Sequence, residues 1–329
     1  MSSGLEAEMR VSQSLRAAVV GLAALSAAPA LAGEGAGPDK VSFYFAAHED
    51  DWQLFMNPSA FEDVAGGAVK TVFVHVTAGD AGIGTGANGR KRPYYLAREN
   101  GADSAVRFMV DANGAPASET AAHMDFNGHA VYRVAYRNTV RYFLRVPDGN
   151  PGGTGYAGTG WQSLKRFADG AIDTLTAIDD SAVYRGWADL VATVRAIMAF
   201  ERGGAALMQI NVADPDPAIN PGDHSDHLMT SRLAVQAAND LGCVRRVYYV
   251  DYASSKLPEN LSARQRDMES SVFAVTLAGV LAFDHGTAWR RYDDWYVGRN
   301  YFRVDEPAGA CGAPTTTVAA ARPKDLPAR

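Results

Sequence analysis

The stretch that most constrains this chain is Ala46-Ala47-His48-Glu49-Asp50-Asp51-Trp52, set directly behind the apolar run Val41-Ser42-Phe43-Tyr44-Phe45. That run reads as a buried strand. An imidazole and carboxylates crowded where a strand ends serve no packing purpose, because charged groups resist burial unless paired or bound to a metal. In open α/β sheets the carboxyl ends of strands are where ligands bind. His48 and Asp51 stand three residues apart, so a tight turn aims both at one point. They then offer one nitrogen and one oxygen ligand of the kind zinc takes. Asp50, between them, is left free to handle protons. A third ligand must come from elsewhere, and Asp223-His224-Ser225-Asp226-His227 offers it.

The rest of the chain supplies the frame. Lys70 to Thr77 is a second strand, β-branched and aromatic, ending in Ala78-Gly79-Asp80. Two largely apolar strands joined by a crossover, partly helical over Phe61 to Val69, predict a parallel βαβ unit buried on both faces. Helices are predicted over Tyr94–Val110, Trp187–Phe200, Leu228–Leu241 and Arg264–Phe283, and strands over Val131–Tyr136, Thr139–Val146, Ala206–Val212 and Val247–Val250. The expected fold is α/β, a mostly parallel, Rossmann-like sheet flanked by helices, with strand and loop insertions around the site.

At 329 residues and 47% apolar content the chain can bury a large core, and its charge of −6 argues against a general nucleic-acid binder. Arg10 and Arg16 precede an alanine- and leucine-rich run, and Ala30-Leu31-Ala32 makes a small-x-small cleavage site. Residues 1–32 therefore read as a secretory signal peptide, with Met9 an alternative start, and not as a membrane span. Residues 33–305 are the expected catalytic domain, and 306–329, rich in Ala, Pro and Thr, a disordered tail. Cys243 and Cys311 are open to one disulfide or to two free thiols. Two glycine-rich loops, Gly84–Gly89 and Gly153–Gly158, fit a dinucleotide-binding pattern by letter only. Neither sits at a strand-to-helix turn, so both read as loops, either mobile at a substrate mouth or plain surface.

The second histidine cluster opens a helix, where His224 and His227 share a side of the first turn. One ligates metal and the other reaches the substrate. Asp226 is expected to accept a hydrogen bond from His224, fixing its tautomer and favouring its cation. His48, Asp51 and His227 as ligands leave a position for water, whose pKa zinc lowers to roughly 7. Asp50 then takes its proton, and His224 stabilises the oxyanion or protonates the leaving amine.

Ala-His-x-Asp-Asp after the first strand, Thr-x-Gly-Asp after the second, an Arg-Glu helix (Arg98, Glu99), Asp148-Gly149 after a later strand, and His-x-Asp-His opening a helix occur in this order. In that pattern, from about Val41 to Phe283, the chain resembles the PIG-L/LmbE-like zinc N-deacetylases. The resemblance implies an LmbE-like fold and places zinc on His48, Asp51 and His227. It makes Asp50 the general base and His224 the group assisting the tetrahedral intermediate, oriented by Asp226. It also implies that Arg98 and Asp148 hold sugar hydroxyls. The implied partner is an N-acetylated amino sugar or glycoconjugate. Two positions depart from the family's His-Pro-Asp-Asp-Glu: Glu49 stands in place of Pro and Trp52 in place of Glu. Trp52 offers a stacking face for a different substrate. The export signal points to a secreted or periplasmic enzyme. A His-Asp-His set does not select zinc by affinity alone, so Fe2+ or another divalent ion also suits it.

Other readings stay open. A zinc amidase acting on non-sugar N-acyl substrates shares this chemistry, and a carbohydrate-binding protein without turnover would have no need of Asp50. Either cluster taken singly is as well explained by a structural ion pair or a helix cap. His75 lies mid-strand and reads as a core residue, His123 and His129 as solvated positions in a loop insertion, and His285 as lying outside the site. The aromatic and charged segment Trp289–Tyr296 reads as packed on the body.

Overall fold

The structure is a computed structural model that describes residues 39–112, 114, 117–309, 311–312 and 321–324. The signal peptide assigned to residues 1–32 lies outside them. Its first half runs β1 (Lys40–Ala46), α1 (Asp51–Phe55), α2 (Ser59–Ala65), β2 (Val69–Thr77), α3 (Tyr94–Asp111), β3 (Thr120–Phe126), β4 (His129–Tyr136), β5 (Thr139–Val146) and α4 (Leu164–Ala168). The second half runs β6 (Thr174–Thr176), β7 (Val183–Arg185), α5 (Trp187–Arg202), β8 (Leu207–Ala213), α6 (Ser225–Ala238), β9 (Val244–Tyr249), α7 (Ala263–Leu281), α8 (Trp289–Trp295) and β10 (Phe302–Asp305).

Eight strands form one sheet in the order β10-β9-β8-β1-β2-β5-β4-β3, and β6 and β7 form a separate ribbon. The five central strands are mutually parallel; β10, β4 and β3 join antiparallel to their neighbours. Side chains alternate across each strand. In β1, Phe43 and Phe45 enter one apolar layer with Val194 and Leu233 of α5 and α6, while Tyr44 enters the other with Val106 and Phe273 of α3 and α7. Burial on both faces is why β1 and β2 are largely apolar. The α/β, mostly parallel, helix-flanked arrangement is Rossmann-like, as the apolar strands and helical spacing implied. No helix among the described residues is long and apolar enough to cross a membrane.

Three local expectations require correction. His123 and His129 are strand residues of a hairpin, not loop positions. Asn127 and Gly128 both take positive φ, 55° and 85°, as a tight hairpin turn requires. His129 Nε2 lies 3.0 Å from the Asp189 carboxylate, and His123 packs on Tyr132. Helix α6 begins at Ser225, three residues before its first apolar position, because the His224 ring caps it by accepting the Asp226 N–H at 3.1 Å. The stretch from Glu306 is tied down where it is described. Cys311 is bonded to Cys243, and residues 322–324 pair with the outer edge of β3 through Asp125 N–H to Arg322 O, 2.9 Å, and Lys324 N–H to His123 O, 2.7 Å.

Candidate functional site

The chain runs from β1 to β2 on one side and later returns to β8 on the other. The loops behind β1 and β8 therefore leave the sheet on either side of a crevice, at a topological switch point. The first histidine cluster follows β1 and the second follows β8, so the sheet order alone makes them face each other.

The His48–Asp51 turn closes as its spacing implied. Asp51 Oδ2 accepts the His48 backbone N–H at 2.7 Å, which turns Oδ1 toward the ring, 3.5 Å from Nδ1. His227 arrives from the first turn of α6, with Nε2 3.2 Å from Asp51 Oδ1 and 3.3 Å from His48 Nδ1. All three residues are buried. Acidic groups back both rings. His227 Nδ1 lies 2.8 Å from Asp223 and 3.2 Å from Asp251, and His48 Nε2 lies 3.5 Å from Asp226 and 3.9 Å from Asp148. Burial works against charge on either imidazole, but Asp51 first, and then these backing carboxylates, outweigh it and hold both pKa values well above the ordinary one. A pocket that favours positive charge at this point equally suits a divalent cation. The His48, His224, His227 and Asp cluster could hold a metal ion.

His224 stands beside this group, its ring 4.7 Å from that of His48. Its tautomer is set differently from the expected one. Nδ1 accepts the Asp226 backbone N–H, so the ring proton belongs on Nε2. Burial, with His48 and His227 nearby, pushes the His224 pKa far down, so the ring is neutral and not cationic. The Asp226 carboxylate is 3.9 Å from His224 Nδ1 and instead accepts Gly149 N–H at 2.7 Å while facing His48. The Asp226 carboxylate thus supports His48 and the Asp148 loop, and it is the Asp226 backbone N–H, not the carboxylate, that orients His224.

Asp50 lines the pocket mouth and pairs with Arg98 Nη2. Arg98 Nε also lies 3.1 Å from Glu49 Oε2, and Nη1 donates to the Gly79 carbonyl at 3.1 Å. Asp148 lines the same pocket, its backbone N–H held by Asp80 at 3.0 Å. Trp52 does not reach the pocket. It is fully buried, packs on Phe73 at 4.5 Å between ring centroids, and donates its indole N–H to His75 Nε2 at 3.2 Å. His75 Nδ1 then faces the Tyr142 carbonyl at 3.3 Å. An apolar indole fits here because it supplies the donor that a neutral core histidine needs; it offers no stacking face to a ligand.

The pocket encloses about 170 Å3. Its lining combines histidines and carboxylates with aromatic and aliphatic groups, Phe55, Tyr252, Tyr292 and Tyr296 prominent among them. Segment 289–296 does pack on the body, Trp289 stacking on Phe273 at 5.6 Å, and in doing so it delivers two of these tyrosines. His285 bonds the Arg92 carbonyl at 2.8 Å and lies outside the lining. The two glycine-rich loops face a separate surface groove; a Cβ on Gly158 would stand 2.3 Å from the Gly82 carbonyl oxygen. Sequence reasoning gave no role to Asp251 or Asp223. Asp251 directly follows a predicted strand, the same position that marked His48 and Asp148, and that was the available signal. No protein-family model matches the chain, and no curated protein sequence matches it.

Proposed function

We propose that this protein is an exported metal-dependent hydrolase that removes an N-acyl group from an amino sugar or glycoconjugate, in the manner of the PIG-L/LmbE-like zinc N-deacetylases that its motifs resemble. The observation that carries this reading is the triangle of His48 Nδ1, Asp51 Oδ1 and His227 Nε2, with sides of 3.2, 3.3 and 3.5 Å. Donor atoms on a tetrahedral zinc at ~2.0–2.2 Å stand roughly 3.3–3.6 Å apart, so the triangle fits one face of such a site. Carboxylates behind both imidazoles supply the support that ligating histidines usually have. A bound zinc or similar ion would polarise the amide carbonyl and make water acidic enough to lose a proton near neutral pH.

The remaining work falls to the chain. Asp50 is held by Arg98 at the mouth, beside the ligand Asp51, where it can take the proton of the attacking water. His224, neutral and protonated on Nε2, is a hydrogen-bond donor suited to a developing oxyanion. A non-sugar amidase is the second reading. It is favoured by Arg98, whose three partners leave it less free to bind hydroxyls than the family resemblance implies. The disulfide between Cys243 and Cys311 supports export, because such bonds persist in oxidising compartments.

The test is carboxylate release from N-acylated sugars and non-sugar amides by metal-loaded protein, with Asp50→Asn alongside. The expected result is turnover that drops on the order of 10²-fold or more in Asp50→Asn at equal metal content. Equal activity of the two proteins would remove Asp50 as the base.

A further inference from the structure

The pocket lining includes aromatic and aliphatic side chains that have no role in the hydrolytic chemistry. The aromatic wall starts at the ligand cluster itself. The Tyr252 ring lies 5.1 Å and the Phe55 ring 5.9 Å from that of His227. From there the rings continue outward, Tyr252 stacked on Tyr296 at 5.9 Å, Phe55 edge-on to Tyr296 at 5.0 Å, and Tyr292 against Tyr296 at 5.4 Å. Leu54, Leu277 and Val280 fill the space between them. These rings buttress one another, mostly edge to face, so the wall is a preformed surface of crossed rings and not a set of loose side chains.

The polar groups of the pocket make contacts of their own. Arg98 serves Glu49, Asp50 and the Gly79 carbonyl. Asp148 Oδ1 accepts the Asn150 N–H at 2.8 Å, and its Oδ2 faces His48. Beside these polar groups the lining carries aromatic rings and branched aliphatic carbons.

Resting on the hydrolase reading above, we propose that the wall formed by Phe55, Tyr252, Tyr292 and Tyr296 is an acyl-binding subsite for a bulky apolar group. The enzyme is therefore selective for arylacyl or similarly bulky N-acyl amides over acetamides. The two kinds of lining group assign the two halves of the substrate. Hydrolysis breaks the amide C–N bond, forms a C–O bond from water, and sends a proton to the nitrogen. The products are a carboxylate and an amine that is cationic at neutral pH. The cationic half belongs beside Asp50 and Asp148, and the acyl half beside the wall. Burying a ring in place of a methyl group against preformed apolar surface raises kcat/KM by about tenfold or more.

The experiment compares zinc-loaded protein on N-acetyl, N-butanoyl, N-benzoyl and N-phenylacetyl derivatives of one amino sugar and one simple amine. The expected result is a kcat/KM for the best arylacyl substrate at least about tenfold above acetyl on the same amine. Tyr292→Ala and Tyr296→Ala should each lower that ratio severalfold. An acetyl rate equal to or above every arylacyl rate, measured on wild type and so independent of any variant's folding, would overturn the subsite while leaving the hydrolase standing. Zinc bound with no turnover on any amide would overturn the hydrolase reading and the subsite with it.

Discussion

His227 shows how much of this site lies behind the atoms that face the pocket. Two carboxylates, Asp223 and Asp251, share its Nδ1 and fix the direction of Nε2. Asp251→Ala should weaken metal binding about 10- to 100-fold, read by competition with a chelator; unchanged affinity would show that Asp223 suffices. Buried titrating groups away from the ligands shape stability instead. Burial holds His75 at about 3 against an ordinary 6.5. The unfolded chain takes up that proton more readily, so this contribution is complete above pH 6.5 and is lost as the pH falls toward 3. Glu269 has the opposite sign. Burial pushes it up to about 9 from 4.5, so its contribution is complete below pH 4.5 and is lost as the pH rises toward 9. The denaturant midpoint of Glu269→Gln should therefore decline less than wild type between those two values. Parallel curves would remove Glu269 as a cause.

At the scale of elements, the helix pair on one face of the sheet depends on a contact without side chains. A Cβ on Gly279 of α7 would stand 2.7 Å from Gly101 Cα of α3, closer than real atoms approach. Gly279→Ala should cost about 1–3 kcal/mol in urea unfolding by forcing these helices apart. A neutral result would mean that α7 shifts freely. Such crossings were not legible in the sequence, whereas β1 and β2 were, because double-sided burial writes itself as largely apolar runs. The clustered histidines and carboxylates were legible for a related reason: charge at strand ends has no packing excuse. The positions of Trp52 and Asp226 were not, since each depends on which partner across the sheet satisfies its polar atom. The hairpin turn at Asn127-Gly128 did carry a signal, which the neighbouring histidines obscured.

Over the whole molecule, distant pieces of chain hold the sheet's periphery. The Cys243–Cys311 bond closes a 68-residue loop that contains β9, α7, α8 and β10. By loop-closure entropy its removal costs up to about 4 kcal/mol. Cys243→Ser should lower the unfolding midpoint accordingly, and a change near zero would mean that packing alone holds this region. At the opposite end of the sheet, the strand edge of β3 is covered by residues 322–324, with Lys324 reaching back 196 positions to the Gly128 carbonyl. During synthesis the hairpin exists long before its cover. At about 5–20 residues per second, the ribosome leaves that edge unpaired for roughly 10–40 s. An uncovered strand edge is a template for pairing with another chain. The nascent protein therefore passes through an interval in which neighbouring copies on one messenger, or a chaperone, can occupy the place that its own later residues will take.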